Sequence, residues 1–177
     1  LKEDLASRSL QELDGAEYYG EFVFLTDPIN SGKENPVSHL AYSYSAQVAE
    51  LDESGKVSRI TAACDAGTVI NQKAIEGQIE GGVLMGMGYA LTEDFRTEEG
   101  FVKSRYATLG LLRATDRPEI ITKLVHAEGK LASSYGAKGI GELCTIPTAP
   151  AIANAYSRID GKRRHSLPLE DTPYSRK

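Results

Sequence analysis

Residues 71–91 read NQKAIEGQIEGGVLMGMGYAL, and this segment limits the fold more than any other. Asn71 is a good N-cap, and the residues after it predict a helix to about Leu91. Glycines nevertheless stand at 77, 81, 82, 86 and 88. Each costs a helix interior about 1 kcal/mol relative to alanine, so the surroundings must hold this helix together. Two reasons for the glycines stay open: close backbone approach to something flat or bulky, and tight helix–sheet packing.

The segments around this helix read as strands. Residues 39–51, HLAYSYSAQVAEL, alternate Leu40, Tyr42, Tyr44, Ala46 and Val48 with small or polar residues, the pattern of a half-buried strand. Asp52-Glu53-Ser54-Gly55 predicts a hairpin turn, and residues 56–64 the return strand. Asp65 at its end reads as a turn former. Further strands are expected at 22–25, after Gly100, and at 119–126. A second helix is expected from near Pro147 to about Tyr156, since proline is tolerated in a first turn. Strand pairs mixed with two helices, without regular βαβ alternation, predict an α+β fold. The architecture expected is a two-layer sandwich of mixed or antiparallel sheet with packed helices. Residues 1–36 form a loop-rich lead-in and 37–177 the main body.

Composition narrows the function. A net charge of −5 lacks the basic stripe of a nucleic-acid binder. Cys64 and Cys144 belong to no CxxC pair, so reduced thiols are expected rather than a disulfide framework or zinc site. No apolar run spans a bilayer and no signal-peptide pattern opens the chain. A cytoplasmic protein without membrane association is the expectation. The start at Leu1 fits a piece of a longer chain. His39, His126 and His165 show no ligand spacing, and no metal-ligating residue is assigned.

Two segments can carry chemistry. Gly136-Ala-Lys-Gly-Ile-Gly-Glu142 frees the backbone to turn sharply and expose N–H groups. Such a loop can hold a phosphate or polar heterocycle, or aim a carboxylate into a cleft. Its GxxGxG spacing matches neither phosphate-loop pattern. Alone, it reads more simply as a surface turn with a solvated glutamate. In Glu76-Gly-Gln-Ile-Glu-Gly-Gly82, Gln78 has donors and an acceptor suited to a pterin-like edge. Alone, that segment reads more simply as an amphipathic helix.

Taken in order, the segments resemble the xanthine dehydrogenase/aldehyde oxidase family. The resemblance runs through AYSYSAQVAELDESGKV, ACDAGTVIN, GQIEGGVLMGMGYALTEDF, RATDRPEI, GAKGIGELCTIPTAPAIANAY and SLPLEDTP, from about Tyr18 to Pro173. These look like the closing segments of the molybdenum-cofactor-binding subunit. KENPVSH, YALTEDF and SLPLEDTPY look closest to the selenium-dependent xanthine dehydrogenase, or purine hydroxylase, branch.

The resemblance implies an oxidoreductase that hydroxylates a purine such as xanthine or hypoxanthine. Glu142 would be the general base that activates the molybdenum-bound oxygen. Gln78 would contact the pterin, and Lys138, Gly139 and Gly141 would pass beside it. Gln78 is therefore expected on the helix face that meets the cofactor, with Gly77, Gly81 and Gly82 at a close helix contact. The implied cofactor is molybdenum-molybdopterin, in a dinucleotide form. Iron–sulfur clusters and FAD would sit on other domains or subunits, which become partners together with the rest of the molybdenum subunit. The substrate would be a small heterocycle, and the isolated chain would be inactive. Leu143-Cys144 replaces the Pro-Pro of many relatives, and Gln72 replaces a common proline. These departures leave the carboxylate untouched but weaken substrate transfer from better-known relatives. An aldehyde oxidoreductase of the same family and a non-catalytic assembly module are the competing readings.

Overall fold

A computed structural model describes residues 2–28, 30–39, 41–105, 107–126 and 134–175. They fall into two compact units, Leu1–Leu40 and Ala41–Lys177. In the first unit, α1 (Lys2–Ser7) is followed by turns and irregular chain. Tyr18 donates its hydroxyl to Asp4 at 2.9 Å. Residues 22–25, expected as a strand, have no regular structure. The described part of this unit contains no strand to pair with, and an unpaired strand is not stable in water.

The second unit is built on β1 (Tyr44–Leu51), β2 (Val57–Asp65), α2 (Gln72–Leu91) and β5 (Glu119–Leu124), with α3 (Thr145–Asp160) closing it. A short ribbon of β3 (Thr97–Glu98) and β4 (Phe101–Val102) stands apart from the main sheet. The expected hairpin is present: β1 pairs antiparallel with β2, Val48 opposite Thr61. Asp52 Oδ1 accepts from the amides of Ser54 and Lys56, which shapes the turn. β5 then lies parallel to β2, Ile60 beside Ile120. The sheet order is β1-β2-β5, so it is mixed and β2 is central.

Alternation puts Ile60, Ala62 and Cys64 of β2 on one face, where α2 and α3 cover them. On α2 the residues Ile79, Val83, Met87 and Ala90 recur at helical spacing and are all buried. Ile60, Val83, Met87 and Ile152 are fully buried, each worth about 1.5–3 kcal/mol of apolar burial. Sheet in one layer and two helices in the other give the expected α+β sandwich. Cys64 and Cys144 are free and buried, their sulfurs 2.9 Å apart across the interface of β2 and α3.

Asn71 caps α2 as expected, its Oδ1 accepting from the amide of Ala74 at 3.0 Å. Four of the five glycines divide into two sets, while a Cβ at Gly88 would meet the Glu93 carboxylate. A Cβ at Gly86 would lie 2.6 Å from both the Thr145 carbonyl oxygen and Thr148 Cβ, and one at Gly82 would lie 3.3 Å from Thr145 Oγ1. These two admit α3 against α2, so the close approach is helix to helix. Gly77 and Gly81 are exposed, and a Cβ at either meets nothing within 4 Å. The expectation that they sit at a helix contact is corrected, because their side of α2 is turned away from α3.

α3 begins two residues before Pro147 and runs past Tyr156 to Asp160. The first four helical amides have no partner in any helix, so Pro147 costs nothing in the first turn. Gly161, at φ +73°, closes the helix in the left-handed region. The Arg164 side chain is buried against Asp160 and stacks over the Tyr156 ring at 5.2 Å. Among the described residues, no helix is long and apolar enough to cross a membrane.

The two glycine sets have opposite mutational signs. Gly86→Ala forces a methyl group into backbone and Thr148, and should lower stability by about 1–3 kcal/mol. Gly77→Ala and Gly81→Ala should each raise it, by up to about 1 kcal/mol. Urea unfolding of the three variants measures both signs. A Gly86→Ala protein as stable as its parent would show that the helix contact is not close.

Candidate cofactor cleft

The site is assembled at the C-terminal end of β2. Asp65 is its last residue, followed by a turn at Ala66-Gly67 in which Gly67 has φ +63°. Onto this turn folds the start of the glycine loop. Gly67 and Ala137 form an isolated antiparallel bridge. Thr68 donates its amide to the Gly136 carbonyl at 2.9 Å, and Lys138 donates its amide to that of Ala66 at 3.0 Å. A Cβ at Gly67 would lie 2.1 Å from the Gly136 oxygen, so only glycine permits this approach. Residues 127–133, which precede the Gly136–Glu142 loop, lie outside the described residues.

A buried ion pair reinforces the seam. Lys138 Nζ donates to Asp65 Oδ2 at 2.5 Å, with their side chains only 10% and 6% exposed. The Lys138 ammonium also sits 5.6 Å from the centre of the Tyr44 ring. Asp65 Oδ1 accepts from the Gly67 amide at 2.9 Å. Asp65 is thus the expected turn former, and in addition an anchor that sequence reasoning missed. Nothing local marks that second role, because its partner lies 73 residues away.

Beyond Lys138 the loop is tied at two carbonyls. Ser43 Oγ donates to Gly139 O at 2.5 Å, and Gln78 Nε2 donates to Gly141 O at 2.8 Å. The chain then tightens into α3: Leu143 donates its amide to Ile140 O at 3.3 Å, and Thr145 to Glu142 O at 3.1 Å. Cys144 is buried, and its carbonyl accepts from Gln47 Nε2 at 2.8 Å and from Thr148 Oγ1 at 2.7 Å. Ser43 and Gln47 are further residues that sequence alone did not single out. Glu142, between the two anchored stretches, is exposed. Its carboxylate has no hydrogen-bond or ion-pair partner among the described residues. Glu80, on the same helix as Gln78, is left out of the cleft: it pairs with Arg117 at 2.8 Å.

Gln78, Lys138 and Gly141, far apart in sequence, line one open cleft of about 540 Å³ together with Ala66, Ile75 and Ile140. Gly139 and Glu142 are in the same loop but not in the lining, and a Cβ at Gly139 or Gly141 would meet nothing within 4 Å. Lys138 contributes its aliphatic stem, its charge being engaged by Asp65. The walls combine exposed glycine backbone, apolar side chains, Thr68 and the side-chain amides of Asn71 and Gln78. That donor set fits a flat, polar ring system such as a pterin. Among the described residues, no three His, Cys, Asp or Glu side chains gather as metal ligands.

The chain is similar to several known proteins. The chain is 30% identical over 133 residues to the beta subunit of isoquinoline 1-oxidoreductase from Brevundimonas diminuta, covering 75% of this chain and 16% of that protein. It is 32% identical over 160 residues to one subunit of a probable xanthine dehydrogenase from Bacillus subtilis, covering 84% and 20%. The solved aldehyde oxidoreductase from Desulfovibrio gigas superposes with a TM-score of 0.65 at 31% identity, over 75% of this chain and 15% of that one. The chain therefore spans about a fifth or less of the length of these relatives. Residues 3–118 match the molybdopterin cofactor-binding domain family, a stretch that holds Gln78 and stops short of Glu142. This chain belongs to the molybdopterin cofactor-binding domain family of the molybdenum hydroxylases.

Proposed function

We propose that the whole protein is a molybdenum hydroxylase acting on a purine such as xanthine or hypoxanthine, with Glu142 as its general base. The observation that carries this reading is the bond from Gln78 Nε2 to Gly141 O, which brings the amide of α2 and the loop bearing Glu142 to one cleft. Gln78, the stem of Lys138 and the backbone at Gly139 and Gly141 would hold the molybdopterin group. That group, when bound, supplies the two-electron redox chemistry and the oxygen transferred to substrate. Glu142 accepts a proton on a carboxylate oxygen as the new carbon–oxygen bond forms. It is exposed and has no partner among the described residues, which leaves both oxygens available for this. The branch closest to selenium-dependent xanthine dehydrogenases, a dinucleotide form of the cofactor, a cytoplasmic location, and iron–sulfur and flavin partners belong to the same proposal.

The aldehyde reading is kept because the Desulfovibrio gigas structure is as similar to this chain as the Bacillus subtilis relative is. Turnover of the intact enzyme with xanthine, hypoxanthine and simple aldehydes separates the two. Purines are expected to be preferred, and a clear preference for aldehydes reverses the assignment.

The role of Glu142 has a direct test. Glu142→Gln is nearly isosteric and should leave folding and molybdenum content of the intact enzyme unchanged. Turnover should fall about 10⁴-fold, the upper end for general-base catalysis, because the same proton transfer generates the nucleophile. A fully loaded variant with turnover within a few-fold of wild type removes Glu142 as the base and restores the solvated-turn or assembly-module reading. The 177-residue chain alone, offering one wall of an open cleft, is expected to retain no stoichiometric molybdenum when assayed by elemental analysis.

A further inference from the structure

The Asp65–Lys138 pair is placed where a fixed point is most useful. Asp65 ends the central strand of the sheet, hydrogen-bonded to β1 on one side with β5 on the other along most of its length. Its two carboxylate oxygens serve two sites: one takes the Gly67 amide, the other the Lys138 ammonium. Four residues beyond Lys138 comes Glu142, and of the three between them only Ile140 carries a Cβ. Glycine on both sides of Ile140 gives the carboxylate an open approach, but it also gives the backbone wide freedom. The loop therefore depends on its ties. Those at Gly139, Gly141 and Cys144 are neutral hydrogen bonds. The tie at Lys138 is charged and almost fully enclosed. Hydrogen bonds between ionised groups are roughly twice as strong as neutral ones, and the enclosing walls leave little room for another arrangement.

We infer that Asp65 is a positioning residue for Glu142: acting through Lys138, it fixes the glycine loop and so the point at which the carboxylate takes up its proton. This rests on Glu142 being the base. It also gives Lys138 a different part from direct attraction of the cofactor. Its cation is committed to the sheet, and its stem becomes cleft wall.

The test uses the full-length, cofactor-loaded enzyme. Asp65→Asn and Lys138→Met should each lower kcat per molybdenum about ten- to a hundredfold, the effect of moving a reacting group by about 1 Å. KM should stay within about threefold. Amide exchange across residues 139–142 should quicken about tenfold or more, while α2 and the β1–β2 hairpin keep their protection. Asp65→Glu, which keeps the charge one methylene further out, should recover part of the rate. If the single variants do not fold, the double variant Asp65→Asn/Lys138→Met removes both charges together and is held to the same outcomes. Unchanged exchange across 139–142, or a kcat within twofold of wild type in a folded variant, overturns the inference. So does protection lost evenly across the sheet, which marks a purely structural pair. The exchange measurement does not depend on turnover. Failure of Asp65 as anchor is thereby distinguished from failure of Glu142 as base, which the Glu142→Gln rates decide.

Discussion

The ion pair between Asp65 and Lys138 is the junction on which the cleft depends. Burying two ions is expensive, and their mutual attraction recovers the cost only with good geometry and further hydrogen bonds. Here the further partners exist: the Gly67 amide on the carboxylate and the Tyr44 ring beside the ammonium. A pair of this kind adds little net stability, but it leaves few alternatives for where the chain can run. The bridge between Gly67 and Ala137 and the two backbone bonds beside it follow from that placement. So does the course of the loop past Gln78.

A second constraint comes from the opposite side of the loop. α3 must lie close to α2 for Cys144 and Thr148 to reach Gln47 of β1. Gly82 and Gly86 make that approach possible. Glu142 therefore sits between one anchor set by charge and one set by packing. Neither anchor touches its carboxylate, which leaves it exposed on a loop whose two ends cannot wander.

Much of the scaffold was legible in the sequence because its signals are local. Alternation from Tyr44, the Asp52–Gly55 turn and the return strand gave the hairpin, and Asn71 announced α2, but the face of β1 was read in reverse: Tyr44, Ala46 and Val48 are exposed, and Ala49 and Leu51 pack on the core. The parallel pairing of β5 with β2 was not legible, since nothing in EIITKL names a partner some sixty positions away. The early start of α3 was obscured by Pro147, which looks like a first residue and stands in the third position. The glycines of α2 were read as one group, although the sides of a helix that carry 77 and 81 differ from those that carry 82 and 86. In the candidate site, the glycine loop and Gln78 stood out by composition. Asp65, Ser43 and Gln47 did not, because each acts on a carbonyl or ammonium distant in sequence and common residues at strand ends carry no such mark.

The topology also orders events in time. The hairpin joins residues within about twenty positions of each other, whereas β5 reaches β2 across about sixty, and Lys138 reaches Asp65 across 73. Loop closure grows more costly with separation, and chains rich in distant contacts fold slowly. The β1–β2 ribbon and α2 can therefore form from neighbouring chain, while β5 and the glycine loop must find a surface already made. On a ribosome the same order is enforced by direction, since Asp65 emerges well before Lys138. The carboxylate-bearing loop thus settles on a platform of hairpin and α2 that is already made, and its far end is fixed only when α3, which follows it in the chain, packs behind it.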